Sequence, residues 1–573
     1  MRVRRVLVPA ILLALFTTGT AAQQRAGRGV DAITETDLKE WLTYIASDEL
    51  QGRRTYSEGL GIAAGYIAGH LKEWGVKPAG DGGTYLQVVK VQGIKVTSNA
   101  SVTVDVNGET RTFKDGEGIT FSRQMGGKQT IKGDEIVFAG YGLQIPDAKI
   151  DDYAETSPKG KVVIYMGPQG PANIPGGSFR LLNARGRNAV DKGAVAVISQ
   201  ANPASGGRGQ TATPPPAAPA AGRGGAPQVQ PDFTTVQRFD NIVTPQLSAQ
   251  DEFLEFLFSG SEMKFSELKE AAAKRDALPR FALKGVKMTI NVDATYDAVR
   301  TQRTNNVVGI IEGSDPKLKD TYVAFGAHYD HVGYSEGATP VGGRPGGSGC
   351  TGQTQPDPRP GDTINNGADD DGSGTVALMA LAKAFATGQR PKRSLLFVWH
   401  AGEESGLLGS RFQADYPAVP LDKIVAQLNI DMIGRNHCDD PAKANHVFVV
   451  GADRISTELH NINEDANASL PKPLTLDYEL NDPADSLSIY TRSDHYSYAL
   501  KGIPIVFFFT GLHKDYHFVT DEVSKIEFPK LARVTQLVYA TASRVANLDH
   551  APARDNAGPR AGKGHSGKLP VKR

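Results

Sequence analysis

Four apolar runs between residues 300 and 550 constrain this chain's fold more than any other feature. They are Val323–Ala327, Leu395–Trp399, Ile424–Ile430 and Ile503–Phe509, none of which contains a charged residue. Helical stretches separate them. Thr375–Thr387 is apolar almost all round, with Lys383 its only charged residue, so it reads as a buried helix. Leu531, Val534, Leu537, Val538, Ala542 and Val545 mark one face of a final amphipathic helix. Strands alternating with helices in this way predict an α/β fold, a mostly parallel doubly wound sheet with helices on both faces.

The chain has 573 residues, enough for two or more folding units. Residues 34–75 read as two amphipathic helices, the first with Leu38, Trp41, Leu42 and Ile45 on its apolar face and Thr36 as its cap. With residues 31–98 they are expected to belong to the same domain as 296–550. Short alternating stretches such as Ser101–Val106 and Glu135–Ala139 predict a smaller β-rich α+β domain inserted over 99–295. Within it, residues 203–230 are Pro, Ala, Gly and Arg in low-complexity order and read as a disordered loop, as does the basic tail 551–573. Arg2, Arg4 and Arg5 precede an apolar stretch from Val6 to Phe16 and small residues through Ala22, the layout of a secretory signal peptide over 1–22. A secreted or periplasmic protein is therefore expected. In such a compartment Cys350 and Cys438, the chain's two cysteines, can pair as a disulfide.

Charge excludes some functions. The 63 basic and 63 acidic residues cancel, but the leader and the tail are both basic, which leaves the body between them acidic. An acidic body argues against nucleic acid as a partner. No apolar run reaches the roughly 18 residues of a membrane span. Two cysteines also rule out a zinc site built from four thiolates.

The chemistry-bearing residues follow the strand runs. His328 and Asp330 come after the first, Glu403 and Glu404 after the second, Asp431 after the third, and Tyr516 and His517 after the last. Asp369, Asp370 and Asp371 stand before the buried helix. Ligands of open α/β sheets bind outside the carboxyl ends of the strands, so these groups should meet on one edge. Imidazoles and carboxylates without thiolates suit zinc or a similar divalent metal, and several carboxylates suit two ions sharing one bridge. Singly, each cluster has a plainer explanation: an Asp run caps a helix, and a Glu pair faces solvent. Their joint placement does not.

Gly326–Asp330, Gly367–Gly374, Gly402–Gly406, Asn429–Gly434 and Asp515–His517 resemble the motifs of the co-catalytic di-zinc aminopeptidase family, which includes secreted bacterial leucyl aminopeptidases and glutamate carboxypeptidase-like enzymes. The resemblance implies a metal-dependent exopeptidase with two Zn2+ per chain, acting on peptide substrates with a free N-terminus. It implies that His328 and Asp431 hold one zinc, Glu404 and His517 the other, and Asp370 bridges them. Glu403 would be the general base acting on the activated water, Asp330 would orient His328, and Tyr516 would stabilise the oxyanion. His331, His400, His437 and His513 read as supporting or rim groups, and Ser493-Asp494-His495 as pocket wall. Residues 99–295 resemble a protease-associated domain. A carboxypeptidase or a glutaminyl cyclase on the same scaffold is an alternative, and a non-catalytic binding module is another of a different class.

Overall fold

The four apolar runs lie side by side. In the computed structural model, which describes residues 28–571 apart from 146–147, 175–178, 202–231, 236–238, 240, 335–349, 351–360 and 563–566, they become the strands Tyr322–His328, Ser394–His400, Ile424–Ile430 and Ile505–Phe509. All four are parallel, in the order 394–400, 322–328, 424–430, 505–509. Every residue of the second and third is buried, which is why their sequences show no alternation. Beyond this parallel centre the pairing becomes mixed. The strand His446–Val450 joins antiparallel beyond 505–509, and on the other side Ala294–Ile311 pairs antiparallel with 394–400.

Helices cover both faces. On one, Gly374–Thr387 lies with Val376, Leu378, Leu381 and Phe385 sealed against the sheet, together with Glu35–Ile45, Glu58–Glu73, Thr457–Ala468 and Phe528–Asn547. Each large side chain so buried contributes about 1.5–3 kcal/mol. Lys383 reaches the edge of this layer and pairs with Asp37 at 2.7 Å. The opposite face is closed by the shorter helices Leu408–Asp415 and His495–Ala499. The first long helix is capped by Thr34, whose hydroxyl accepts from Asp37 N at 3.1 Å, and not by Thr36. The apolar stripe alone could not separate two threonines two residues apart.

Residues 101–292 build a second core of their own. A four-stranded antiparallel sheet and a six-stranded mixed sheet pack with the helices Phe179–Asp191, Asp251–Leu257 and Phe265–Lys274. Two long strands, Leu86–Ser98 and Ala294–Ile311, run antiparallel and carry the chain out to this region and back.

The tail departs from expectation. Residues 551–562 and 567–571 are packed against the helix Thr457–Ala468 and its surroundings, with Ala561 buried. Asp555 accepts from Thr457 N at 3.2 Å, Asp453 accepts from Ala561 N at 2.6 Å, and Asn461 bonds both backbone groups of Leu569. Polar groups of the receiving surface hold it, and tail composition carries no sign of them. The leader 1–22 and the loop 203–230 lie outside the described residues.

Candidate metal centre

His328 ends its strand with its backbone N–H donating to Asp371 Oδ2 at 3.1 Å. The same carboxylate accepts from Gly374 N at 2.9 Å and Met432 N at 3.1 Å through Oδ1. One side chain therefore ties together the ends of two strands and the start of the buried helix. Asp369 accepts from Gly434 N at 2.6 Å, and Asp521 accepts from the backbone N–H groups of Asp369 and Asp370 at 3.0–3.1 Å. The Asp-rich run is thus partly a helix cap, as the plainer reading had it, and partly something else: of the three, Asp370 turns its carboxylate toward His328 and His517. The peptide bond between Asp370 and Asp371 is cis.

Around Asp370 the expected ligands converge. His328 Nε2 lies 3.4 Å from Asp370 Oδ1 and 3.7 Å from Asp431 Oδ1. His517 Nε2 lies 3.0 Å from Asp370 Oδ2 and 3.1 Å from Glu404 Oε1. These are spacings of donor atoms around a shared centre. Asp370 Oδ2, Glu404 Oε1 and His517 Nε2 are buried and lack a hydrogen-bond partner, a pattern that buried polar atoms avoid unless an ion or water completes them. The donor set of imidazole and carboxylate fits divalent zinc-class ions.

Glu403 stands apart from Glu404, with its Oε2 4.0 Å from His328 Nε2. Burial, reinforced by Glu404 and Asp431 against the pull of His328, holds its carboxyl well above the usual carboxylate range. Glu404 is buried too, but His517 beside it brings it down to about 2. Adjacent carboxylates are thereby driven in opposite directions, the separation expected of a base and a ligand.

Asp330 meets His328 through its backbone and not through its carboxylate. It is the backbone carbonyl of Asp330 that meets His328 Nδ1, at 3.1 Å, while its carboxylate is 3.7 Å away. The carboxylate instead accepts from Thr55 Oγ1 and Glu403 N, each at 3.1 Å, and so positions the Glu403 turn. Tyr516 lies at the rim, and Arg492 Nη2 donates to its hydroxyl at 3.1 Å. Burial keeps that phenol above its ordinary pKa even though His517 and Arg492 pull it down. An open cleft of about 340 Å³ leads to the centre, with Met432, Ile489, Phe507, Phe509 and Leu512 forming its apolar wall.

The remaining histidines divide. His513 faces Asp369 at 3.3 Å and His400 faces Asp494 at 3.4 Å, both buried away from the cleft. Ser493, on the cleft wall, accepts from Asn429 Nδ2 at 2.9 Å, while Asp494 faces His400 and His495 Nε2 meets Tyr490 O at 2.8 Å, so the three residues engage other partners and not one another. Cys350 and Cys438 form a disulfide with Cα atoms 4.9 Å apart, next to His437. His331 was expected among the supporting groups. It lies inside the centre, with Nδ1 3.0 Å from Glu404 Oε1.

Arg53 was not anticipated at all. Fully buried, it donates to the carbonyls of Tyr329, Ile45, Asn366 and Gly367. Nothing in the local pattern Gln51-Gly-Arg-Arg54 distinguishes it from a surface arginine. A signal lies one residue earlier, since Gly52 has φ +66° and a Cβ there would stand 2.6 Å from Asn365 O. That glycine lets the segment press against the loop leading into Asp370.

Residues 306–542 match the model of peptidase family M28. Every group of the centre except Arg53 and Thr55 falls within them, and the resemblance read from the five motifs is borne out. A probable leucine aminopeptidase 2 of Aspergillus oryzae is 27% identical over 256 residues, 42% of this chain and 43% of that protein. A probable leucine aminopeptidase of Trichophyton verrucosum is 28% identical over 251 residues, 42% of this chain and 57% of its own length. The chain thus spans about half the length of these curated relatives. Among solved structures, an aminopeptidase from Aneurinibacillus sp. strain AM-1 aligns over 91% of this chain and 96% of its own, at 18% identity and a TM-score of 0.42.

Proposed function

We propose that this chain, matched by peptidase family M28 over residues 306–542, is a metal-dependent exopeptidase that removes N-terminal residues from peptides. One observation carries the reading. His328 and Asp431 on one side, and Glu404 and His517 on the other, converge on a single carboxylate, Asp370, while Glu403 stands off both. Those five residues would hold two zinc ions. When bound, such ions supply Lewis-acid polarisation of a carbonyl and make water a nucleophile near neutral pH.

The chain's own groups do the rest. Glu403, its carboxyl held above the usual carboxylate range by burial, takes a proton from the attacking water and returns it to the leaving amine. Asp330 fixes that turn through Glu403 N. Tyr516 remains a phenol and donates toward the carbonyl oxygen as it gains charge, with Arg492 holding its hydroxyl. The wall of Met432, Ile489, Phe507, Phe509 and Leu512 suits an apolar side chain next to the scissile bond. The region 99–295 reads as a protease-associated domain that limits access. In support, Arg187 of the helix Phe179–Asp191 lies over the ring of Tyr496 at 5.3 Å, three residues past the cleft-lining Ser493. Work outside the cytoplasm is supported by the order of residues 1–22 and by the Cys350–Cys438 disulfide. Among the described residues no helix is long and apolar enough to cross a membrane.

A carboxypeptidase is favoured by a different observation: Arg492 lines the cleft with its buried Nη1 lacking a hydrogen bond, a group that could receive a terminal carboxylate. Substrate blocking separates the two. Peptides with a free amine should be trimmed from the N-terminus, and acetylating that amine should abolish cleavage. Trimming of acetylated peptides from the C-terminus would establish the second reading in place of the first.

A further inference from the structure

His331 sits three residues beyond His328, and among the described residues no other imidazole outside the expected ligand set reaches the centre. Its side chain is fully buried, and neither ring nitrogen has a hydrogen-bond partner. His400 and His513, buried as deeply, each face one carboxylate. His331 faces two: Nδ1 is 3.0 Å from Glu404 Oε1 and 3.8 Å from Asp370 Oδ2, and the ring meets His517 edge-on at 5.6 Å. Its position is imposed from outside the cluster. Its backbone N–H donates to Arg53 O at 3.1 Å, and Gly367, at φ +55°, packs so closely that a Cβ there would stand 2.5 Å from the ring.

We propose that His331 Nδ1 is a fourth protein ligand of the Glu404–His517 cation position, which closes that position and leaves the His328–Asp431 position as the open one. This rests on the two-metal reading above. Zinc bonds to nitrogen and oxygen of about 2.0–2.1 Å place the corners of a tetrahedron roughly 3.3 Å apart. Four of the six edges among His331 Nδ1, His517 Nε2, Glu404 Oε1 and Asp370 Oδ2 measure 3.0, 3.8, 3.0 and 3.1 Å and bracket that value, and donor atoms of His331, Asp370 and Glu404 all lie within 4.8 Å of one another. The other position has three protein donors, His328, Asp370 and Asp431, and faces Glu403 across the cleft. Closed four-donor sites hold zinc structurally, and three-donor sites keep a place for chemistry. The pair is then unequal: a nitrogen-rich position that retains its ion, and an open one where Glu403 works.

Cobalt(II) titration of the metal-free full chain tests this without a variant. The first equivalent should fill the closed position and give the intense visible absorption of four-coordinate cobalt. A weak five- or six-coordinate spectrum at that stage would overturn the proposal. His331→Asn supplies the second readout, because its amide N–H can stand where Nδ1 stands and donate to Glu404 but cannot ligate. Chelator competition should then remove one ion at least 100-fold more easily than from the parent protein, beyond the 10–100-fold usual for a lost hydrogen bond to a ligand. The metal-free melting temperature of the variant checks that it folds. Two ions held with parental affinity by His331→Asn would reduce His331 to a hydrogen-bonding partner and refute the proposal. A parent protein that takes up fewer than two ions would instead sink the two-metal reading itself.

Discussion

Replacing Arg53 by methionine should unlatch the loop that presents Asp370. The guanidinium joins three segments, donating to Ile45 O at 2.5 Å, Asn366 O at 2.7 Å, and Gly367 O and Tyr329 O at 2.9 Å. Burial lowers its pKa to about 10 against the pull of Asp330, Asp370, Asp371 and Asp521, so it stays charged at neutral pH. Methionine keeps most of the stem and removes every donor. Each buried acceptor left unpaired costs about 1–3 kcal/mol. With four acceptors and some relaxation, the expected loss is about 4–6 kcal/mol, in the range that marks a broken buried network. Trp41, Trp74 and Trp399 all belong to the core of the large sheet, so tryptophan fluorescence during urea unfolding reports this core and not the inserted region. The midpoint should fall at unchanged slope. Arg53→Lys, with charge but fewer donors, should fall between. A methionine variant within about 1 kcal/mol of the parent would show that the four carbonyls find other partners and that Arg53 is no latch.

Three further outcomes are expected. Glu403→Gln should keep both metal ions and cut turnover by roughly 10²–10⁴-fold, whereas Glu404→Gln should lose one ion and recover partly in added zinc; metal content measured beside turnover would reverse the two roles if the pattern is swapped. Cys350→Ser should lower thermal stability by up to about 4–5 kcal/mol in the chain-entropy account, given the 88-residue separation of the pair, and an unchanged melting curve would count against it. Truncation after Leu548 should cost about 2–5 kcal/mol, since it strips backbone donors from the buried Asp453 and a partner from the buried Asn481; a dispensable tail would unfold at the parental temperature.

Much of the catalytic sheet was legible because burial on both faces writes itself into uninterrupted apolar runs, and Ile424–Ile430 matches its strand residue for residue. The motif residues were legible because their chemistry is confined to strand ends. What escaped were groups whose role depends on a distant backbone. Arg53 acts through carbonyls up to 314 positions away, and Asp371 acts through amides on three elements. His331 escaped differently. Its spacing from His328 was visible, but a histidine just past a strand end carries no mark of which way its ring turns.

The acids around the centre fall into two classes, and the division explains why a metal belongs there. Asp330, Asp369, Asp371 and Asp521 accept backbone N–H groups, so the fold itself stabilises their charge. Asp370, Glu403, Glu404 and Asp431 accept none among the described hydrogen bonds, yet Asp370 and Asp431 are nearly inaccessible to water. Of the positively chargeable groups among the described residues, only the imidazoles of His328, His331 and His517 meet these four carboxylates directly, and buried charge left uncompensated costs several kcal/mol per group. Arg492 reaches Tyr516 and Arg53 reaches only carbonyls, so neither cation forms a direct pair with these four. On the proposed function, two divalent ions would supply positive charge at the place where the orphaned oxygens Asp370 Oδ2 and Glu404 Oε1 point. Backbone amides hold the frame, and the ligand carboxylates are left to the imidazoles beside them and, on the proposed function, to bound cations.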